Sequence, residues 1–417
     1  MLSPNPIVKC GAQEVSFDNF VVLRNLHWHF QMAELDRFRS LRNVWIDCPF
    51  APLMWPNWKD WVGETLQSWL MDMASFQCSR PRDKVYALVG LTSRQSRGQI
   101  TVEYDEGVMS DRAVFLEATQ VCFREVGLLP LQQGQVDKVN SLQLPSWCPD
   151  WGSRAVCVPF VGFGFCPFPT TGSFHPPDDS WSSWKDKTNK PVLEFSDDGE
   201  TLLTHGFIVD IVDYVDEVGT LETPEVPVYT GTDEQGRENA RKKRLETTKK
   251  ACLRWEKHLH SVQETGSPNF ANDYQEAFCR TLIANRNFNK EEAEWNTKHI
   301  FDTWVGREHS HDSQLVSESV RQEDVQDYSN CVVSRCAKRT FITTVNGRFG
   351  LAPQKAEKGD LVCIFYGGEV PCILRNQQAG FKETLKSFIG EAYIHGIMQG
   401  EYIQTAESDE FTSFRLI

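Results

Sequence analysis

Thr340-Phe341-Ile342-Thr343-Thr344-Val345-Asn346-Gly347-Arg348-Phe349-Gly350-Leu351-Ala352 is the stretch that decides the fold class. Both flanks are rich in β-branched and aromatic residues, and Asn346-Gly347 supplies the two positive-φ positions of a type I′ turn. The stretch therefore reads as a β-hairpin. C-terminal to it, Gly359 to Tyr366, the turn Gly367-Gly368 and Val370 to Arg375 form a second pair. Phe388 to Ile397 reads as a last strand, with Glu391, Tyr393 and His395 alternating on one face. N-terminal to it, Pro191 to Phe195, the turn Ser196 to Glu200 and Thr201 to Val215 read as a hairpin running into a long strand. Residues 233–305 and 314–338 separate these β regions and carry a helical charge pattern, including Arg241-Lys242-Lys243-Arg244. Strands on both sides of a helical insertion imply one β unit built from 190–217 and 340–403, closing as a small barrel or sandwich.

The N-terminal part has helical spacing at 60–76, through Trp61, Leu66, Trp69, Leu70 and Met73, and again at 110–126, where Ser110 and Asp111 open the helix. Lys84 to Leu91 is a short apolar run that periodicity leaves open between a buried strand and the end of a helix. Residues 161–185, crowded with Phe, Pro and Gly, read as a long loop. The expected class is α+β: a helical N-terminal region packed on a small C-terminal β-barrel interrupted by an inserted helical segment. The expected divisions are 1–145, 146–230, 231–338 and 339–417.

Composition excludes several function classes. Among 417 residues, 43 Lys and Arg face 57 Asp and Glu, a formal net charge of −14. Such an excess of acid disfavours nucleic-acid backbones and anionic lipid as partners. No apolar run reaches the roughly 18–20 residues of a membrane span, and the first residues lack the basic start and apolar core of a secretory signal. The 13 cysteines are therefore expected as reduced thiols in the cytoplasm.

The residues offer little recognisable chemistry. Cys331 and Cys336 have no second pair to complete a tetrahedral site, and His258, His260, His309 and His311 lack matching partners, so no metal is expected. Gly162-Phe163-Gly164 gives only the first two glycines of a dinucleotide fingerprint, with no strand before it and no helix after it. No phosphate-binding loop and no nucleophile elbow occur. No cofactor, catalytic residue or small-molecule ligand is assigned. Two motifs are distinctive all the same. In Arg80-Pro81-Arg82-Asp83-Lys84-Val85-Tyr86-Ala87-Leu88-Val89-Gly90-Leu91, Asp83 is placed to cap the following turn and Arg82 to make a bidentate ion pair. In Leu144-Pro145-Ser146-Trp147-Cys148-Pro149-Asp150-Trp151, two tryptophans among prolines need packed rings and acceptors for their indole N–H groups.

These motifs, in this order, resemble the fungal heterokaryon incompatibility (HET) proteins, where a PRDKVYALLGL segment precedes an LPSWVPDW segment. The C-terminal stretches are similar to the family's closing pattern: Gly347 to Pro353, Lys358-Gly359-Asp360-Leu361-Val362, Pro371 to Arg375, and Ile389 to Glu401. The family's opening LS-Y-x-WG segment is absent. Val44-Trp45-Ile46-Asp47-Cys48 imitates its later WID segment, but lies only 36 residues before Asp83. The chain thus resembles the region downstream of a HET domain. The resemblance implies allorecognition through another incompatibility protein, linked to programmed cell death, without catalysis. Distant kinship of some HET domains to TIR domains implies the alternative of an NAD-consuming or hydrolytic enzyme, and the missing segment that of a relic without independent activity. Asp360, Arg375, Glu391, Tyr393 and His395 join Arg82, Asp83, Tyr86, Trp147, Asp150 and Trp151 as structural or interaction residues. The polar face of Glu391, Tyr393 and His395 is either a paired network or a small site.

Overall fold

The structure is a computed structural model. It describes residues 7–10, 13–16, 65–73, 78–132, 142–152, 160, 193–216, 234–264, 273–286, 293, 296–307, 320–377, 385–403, 406 and 411–417. The chain divides into two units, Met1–Glu125 and Val126–Ile417. Gly162 to Cys166, the 161–185 loop, Val44 to Cys48, His309 and His311 lie outside the described residues.

In the first unit, β1 (Ile7–Cys10) and β2 (Gln13–Ser16) form an antiparallel pair. Among the described residues the helices α1 (Leu66–Asp72), α2 (Asp83–Val89), α3 (Arg94–Arg97) and α4 (Asp111–Val126) follow. Thr65 accepts the Ser68 N–H (3.2 Å) and Ser110 accepts the Ala113 N–H (3.2 Å), so hydroxyls satisfy donors that the first turns of α1 and α4 leave open. The run left open at Lys84 to Leu91 resolves as α2. The expectation that Asp83 caps it is corrected: Arg82 holds the cap position without a side-chain bond, and Asp83 is the first helical residue. A carboxylate there still complements the helix dipole.

The second unit opens with α5 (Leu129–Gln132), then β3 (Glu194–Phe195) and the 14-residue β4 (Leu202–Val215). Four helices interrupt the sheet: α6 (Glu234–Gln263), α7 (Tyr274–Leu282), α8 (Thr297–Val305) and α9 (Gln322–Arg335). The strands resume as β5 (Arg339–Thr344), β6 (Phe349–Pro353), β7 (Leu361–Phe365), β8 (Cys372–Asn376), β9 (Leu385–Glu391), β10 (Tyr393–Ile394) and β11 (Phe411–Leu416). The protein is α+β. Strands β4, β7, β8, β9 and β11 pair in a closed ring, because β4 bonds β11 through its first half and β7 through its middle. Its last residues pair with β5, from which β6 and β10 extend.

Two cores sit on opposite sides of these strands. Phe207, Val209, Val362, Ile364, Ile373 and Ile394 belong to one core within the strands. Phe341, Phe349, Leu351 and Tyr393 point to the other face, where Trp255 and Phe278 of the inserted helices cover them. β5 and β6 are buried along their whole length for this reason, a sheet covered on both sides. Asp216 anchors the insertion: its carboxylate accepts from Arg254 Nε (2.9 Å), Arg254 Nη2 (2.5 Å) and Trp255 Nε1 (2.6 Å) on α6.

Two strand-level expectations need correction. In the Asn346-Gly347 hairpin only Gly347 takes positive φ (84°), so the turn is not type I′. Thr344 N–H bonds Arg348 O (2.9 Å) and Gly347 N–H bonds Thr344 O (3.0 Å), a three-residue loop ending in a left-handed glycine. Buried Asp210 sets that geometry by accepting from Thr344 Oγ1 (2.8 Å), Asn346 Nδ2 (3.2 Å) and Arg348 Nη1 (3.1 Å). The last strand is not Phe388 to Ile397. That segment ends at Ile394, before the turn where Gly396 has φ 80°, and β11 closes the ring instead.

Gly206 pairs with Thr412 on one side and Phe365 on the other, and a Cβ there would collide with the Ile364 carbonyl oxygen. We expect Gly206→Ala to cost about 1–3 kcal/mol by overpacking. The check is a lowered urea midpoint at unchanged slope; an unshifted midpoint would refute the close approach.

Candidate functional site

A buried polar arrangement lies between the end of α9 and the sheet. Glu391 ends β9 and is 1% exposed, while Arg339 opens β5 and is equally hidden. Glu391 Oε1 accepts from Arg339 Nη2 (2.5 Å) and from the Phe160 N–H (2.7 Å). Arg339 Nη1 donates to Arg335 O at the end of α9 (3.0 Å), and its guanidinium lies 3.7 Å from the centre of the Phe160 ring. Tyr393 packs on the same ring at 6.1 Å, and His395 stacks on Phe349 at 5.6 Å with planes 3° apart. The alternation read from sequence therefore holds: residues 391, 393 and 395 face the helices, whereas Ala392 and Ile394 enter the opposite core. Among the described residues, Glu391 Oε2 and His395 Nδ1 are buried without a hydrogen-bond partner. Burial pushes the Glu391 carboxyl up to about 7, against the opposing pull of Arg339, the Phe160 N–H and Arg335. Burial, helped by the charge of Arg280, pulls His395 down to about 4.

The other motif residues are bound into scaffold contacts. Arg82, fully buried, donates to Asp111 Oδ1 (2.5 Å), Glu103 O (2.9 Å) and Met109 O (3.1 Å). Its fork is shared between one carboxylate oxygen and two carbonyls, so the bidentate ion pair expected for it is corrected. Tyr86 joins it, its hydroxyl donating to Glu103 O (3.0 Å). In the second unit Trp147 is buried, donates to Glu200 O (3.1 Å) and packs against Phe195. Trp151 is buried, and buried Asp150 accepts the Gly152 N–H (3.0 Å). Ser146 ties this segment to the sheet: its N–H donates to Ile417 O (2.9 Å) and its Oγ accepts the Phe388 N–H (2.8 Å). Asp360 receives Arg375 through both oxygens (2.8 and 3.0 Å) and caps the preceding turn by accepting the Glu357 N–H (2.7 Å). That bidentate contact raises the pKa of Arg375.

Residues 256–414 match the family described as the Het-6 beta-barrel domain, covering the end of α6 and all strands from β5 onward except the last two residues of β11. Over this C-terminal part the chain is similar to the heterokaryon incompatibility (HET) proteins. Heterokaryon incompatibility protein 6, OR allele, of Neurospora crassa is 38% identical over 74 residues. That alignment takes in 18% of this chain and 11% of the relative, so the chain spans about a tenth of the relative's length. No solved structure matches the chain.

Among the described residues no cluster of three or more His, Cys, Asp or Glu is placed to hold a metal ion. Cys331 and Cys336 are buried free thiols, Cys331 within α9 and Cys336 at its C-terminal cap. His258 stacks on Tyr214, and His260 Nδ1 meets the Tyr274 hydroxyl at 2.5 Å. Sequence reasoning missed Arg339, Phe160 and Arg335 as neighbours of Glu391. The available signal was a lone arginine opening a strand of threonine, phenylalanine and isoleucine, which requires a counter-charge if the strand is buried.

Two outcomes follow for the buried pair. Arg339→Met should cost about 3–5 kcal/mol by stranding Glu391, while Arg339→Met with Glu391→Met costs much less, measured by urea unfolding. Equal losses would show that the pair is not coupled. For pH, a carboxyl raised from 4.5 to about 7 binds its proton more tightly in the folded chain. Its stabilising contribution is complete below pH 4.5 and lost as pH rises through 7. His395 acts oppositely, its contribution complete above pH 6.5 and lost as pH falls through about 4. Against Glu391→Gln, which keeps His395, wild type should lose relative stability between pH 4.5 and 7. A constant gap across that window would refute the assignment.

Proposed function

We propose that this chain is a heterokaryon incompatibility protein acting in fungal non-self recognition by contacting another incompatibility protein in the cytoplasm, without catalysis of its own. The observation that carries this reading is the Het-6 β-barrel match over residues 256–414. The motif residues support it through what they do. Arg82, Trp147, Asp360 and Arg375 are each engaged by backbone or side-chain partners in their own unit, as expected of residues that hold a recognition surface in shape. Among the described residues no helix is long and apolar enough to cross a membrane.

One observation favours a second reading. Glu391 combines a carboxyl near 7 with a buried, unpartnered oxygen, a combination that also occurs in general acids. An NAD-consuming or hydrolytic activity would place it there.

Two experiments separate the readings. Fungal strains differing only in this gene are paired, and the recognition reading expects a failed or growth-inhibited heterokaryon; vigorous fusion in every pairing would end it. Purified protein incubated with NAD should release no nicotinamide. Turnover that disappears in folded Glu391→Gln would transfer the conclusion to the enzyme.

A further inference from the structure

Thr101–Val108, between α3 and α4, belongs to no helix or strand; Asp105 O accepts the Val108 and Met109 N–H groups in a turn, and before that turn the bonded backbone groups belong to alternate residues. The Thr101 N–H donates to Glu117 Oε2 (2.9 Å), the Glu103 N–H to the Tyr86 hydroxyl (3.2 Å) and the Asp105 N–H to Glu103 Oε1 (2.8 Å). The Glu103 carbonyl accepts from both Arg82 and Tyr86. The backbone N–H and C=O groups of the alternate residues, Val102 and Tyr104, have no hydrogen-bond partner among the described residues. Bonding every second residue on one side and leaving the other open is how a strand at the edge of a sheet presents itself. Here two family-motif side chains, Arg82 and Tyr86, stand in for the neighbouring strand.

The exposed side chains have the matching character. Val102 is 53% exposed, Tyr104 54% and Val108 72%, three of the large exposed hydrophobics within seven residues. Asp105 and Glu106, both exposed, lie among them. Burying Arg82 completely in order to hold a stretch of exposed backbone is costly unless the stretch must be kept in one conformation.

We propose that Thr101–Asp105 is a docking edge that receives an extended segment of a partner protein as an added strand. The backbone groups of Val102 and Tyr104 bond the incoming strand, in the manner of β-augmentation. Its apolar side chains cover Val102, Tyr104 and Val108, and its Lys or Arg side chains meet Asp105 and Glu106. Charge complementarity and the apolar strip together select that occupant. The proposal rests on the recognition reading above and names the surface through which recognition works.

The test titrates the full chain with a short end-blocked synthetic peptide alternating valine and lysine, followed by amide hydrogen exchange. Binding should slow exchange at the Val102 and Tyr104 amides. Val102→Pro removes one outward N–H and keeps every inward bond, so it should weaken binding about tenfold at unchanged melting temperature. Val108→Lys, which leaves the backbone intact, should weaken it through repulsion of the lysines. Unchanged exchange at both amides, or equal binding by folded Val102→Pro, would overturn the proposal. So would protection of the same amides by self-association without peptide, which would make a second copy the occupant. Strain pairing distinguishes the two levels. Incompatibility that survives Val102→Pro sinks the docking edge and leaves the recognition reading standing, whereas compatibility with the wild-type gene sinks that reading whatever the peptide does.

Discussion

The second unit depends on β4 pairing with four strands along one run of residues. Leu202 to Phe207 bond β11, Gly206 to Ile211 bond β7, Val212 to Val215 bond β5, and β3 pairs at the start. Such sharing requires the strand to turn between partners, and the irregularities at Ile208–Asp210 and Val212–Tyr214 provide the bends. It also requires partners to approach closely, which Gly206 permits. Asp210 within β4 and Asp216 just after it then sit at fixed points, one holding the β5–β6 hairpin and the other the long inserted helix. The helices are thus attached to the sheet by a carboxylate at the end of β4 as well as by the apolar face of β5 and β6.

Three arginines, buried Arg82 and Arg339 and half-buried Arg375, are held by one chemical rule in both units. Arg82, Arg339 and Arg375 each meet a carboxylate and at least one backbone carbonyl, so several guanidinium donors are satisfied at once. Arginine suits this role because its planar fork reaches partners in several directions while keeping its charge. Lysine at these sites would leave carbonyls open.

Much of this was legible in the sequence because local chemistry and tertiary context agree. The α4 helix, the β3–β4 hairpin and the strands on both sides of the insertion follow from periodicity and turn residues. So does the alternation of Glu391, Tyr393 and His395, because one sheet face is covered by helices and the other by a second core. The failures have a common cause. Asn346-Gly347 has the composition of a type I′ turn, but Asp210, over a hundred residues away, imposes a different loop. The strand ending at Ile394 stops at a left-handed glycine, and β11 owes its place to pairing with β4 rather than to its own pattern. Arg82 found its partners at Glu103, Met109 and Asp111, a set that no spacing rule supplies. Long-range polar contacts were the unreadable part.

The register Leu202↔Leu416 has a bearing on synthesis. β4 is made roughly two hundred residues before β11, its partner in the ring. Until β11 arrives, the first half of β4 is an open template in a chain whose inserted helices have already been produced. Long sequence separation of this kind slows folding and lengthens the exposure of unpaired strand edges. A premature stop before β11 therefore releases a chain with an open strand edge on β4 rather than a smaller closed ring.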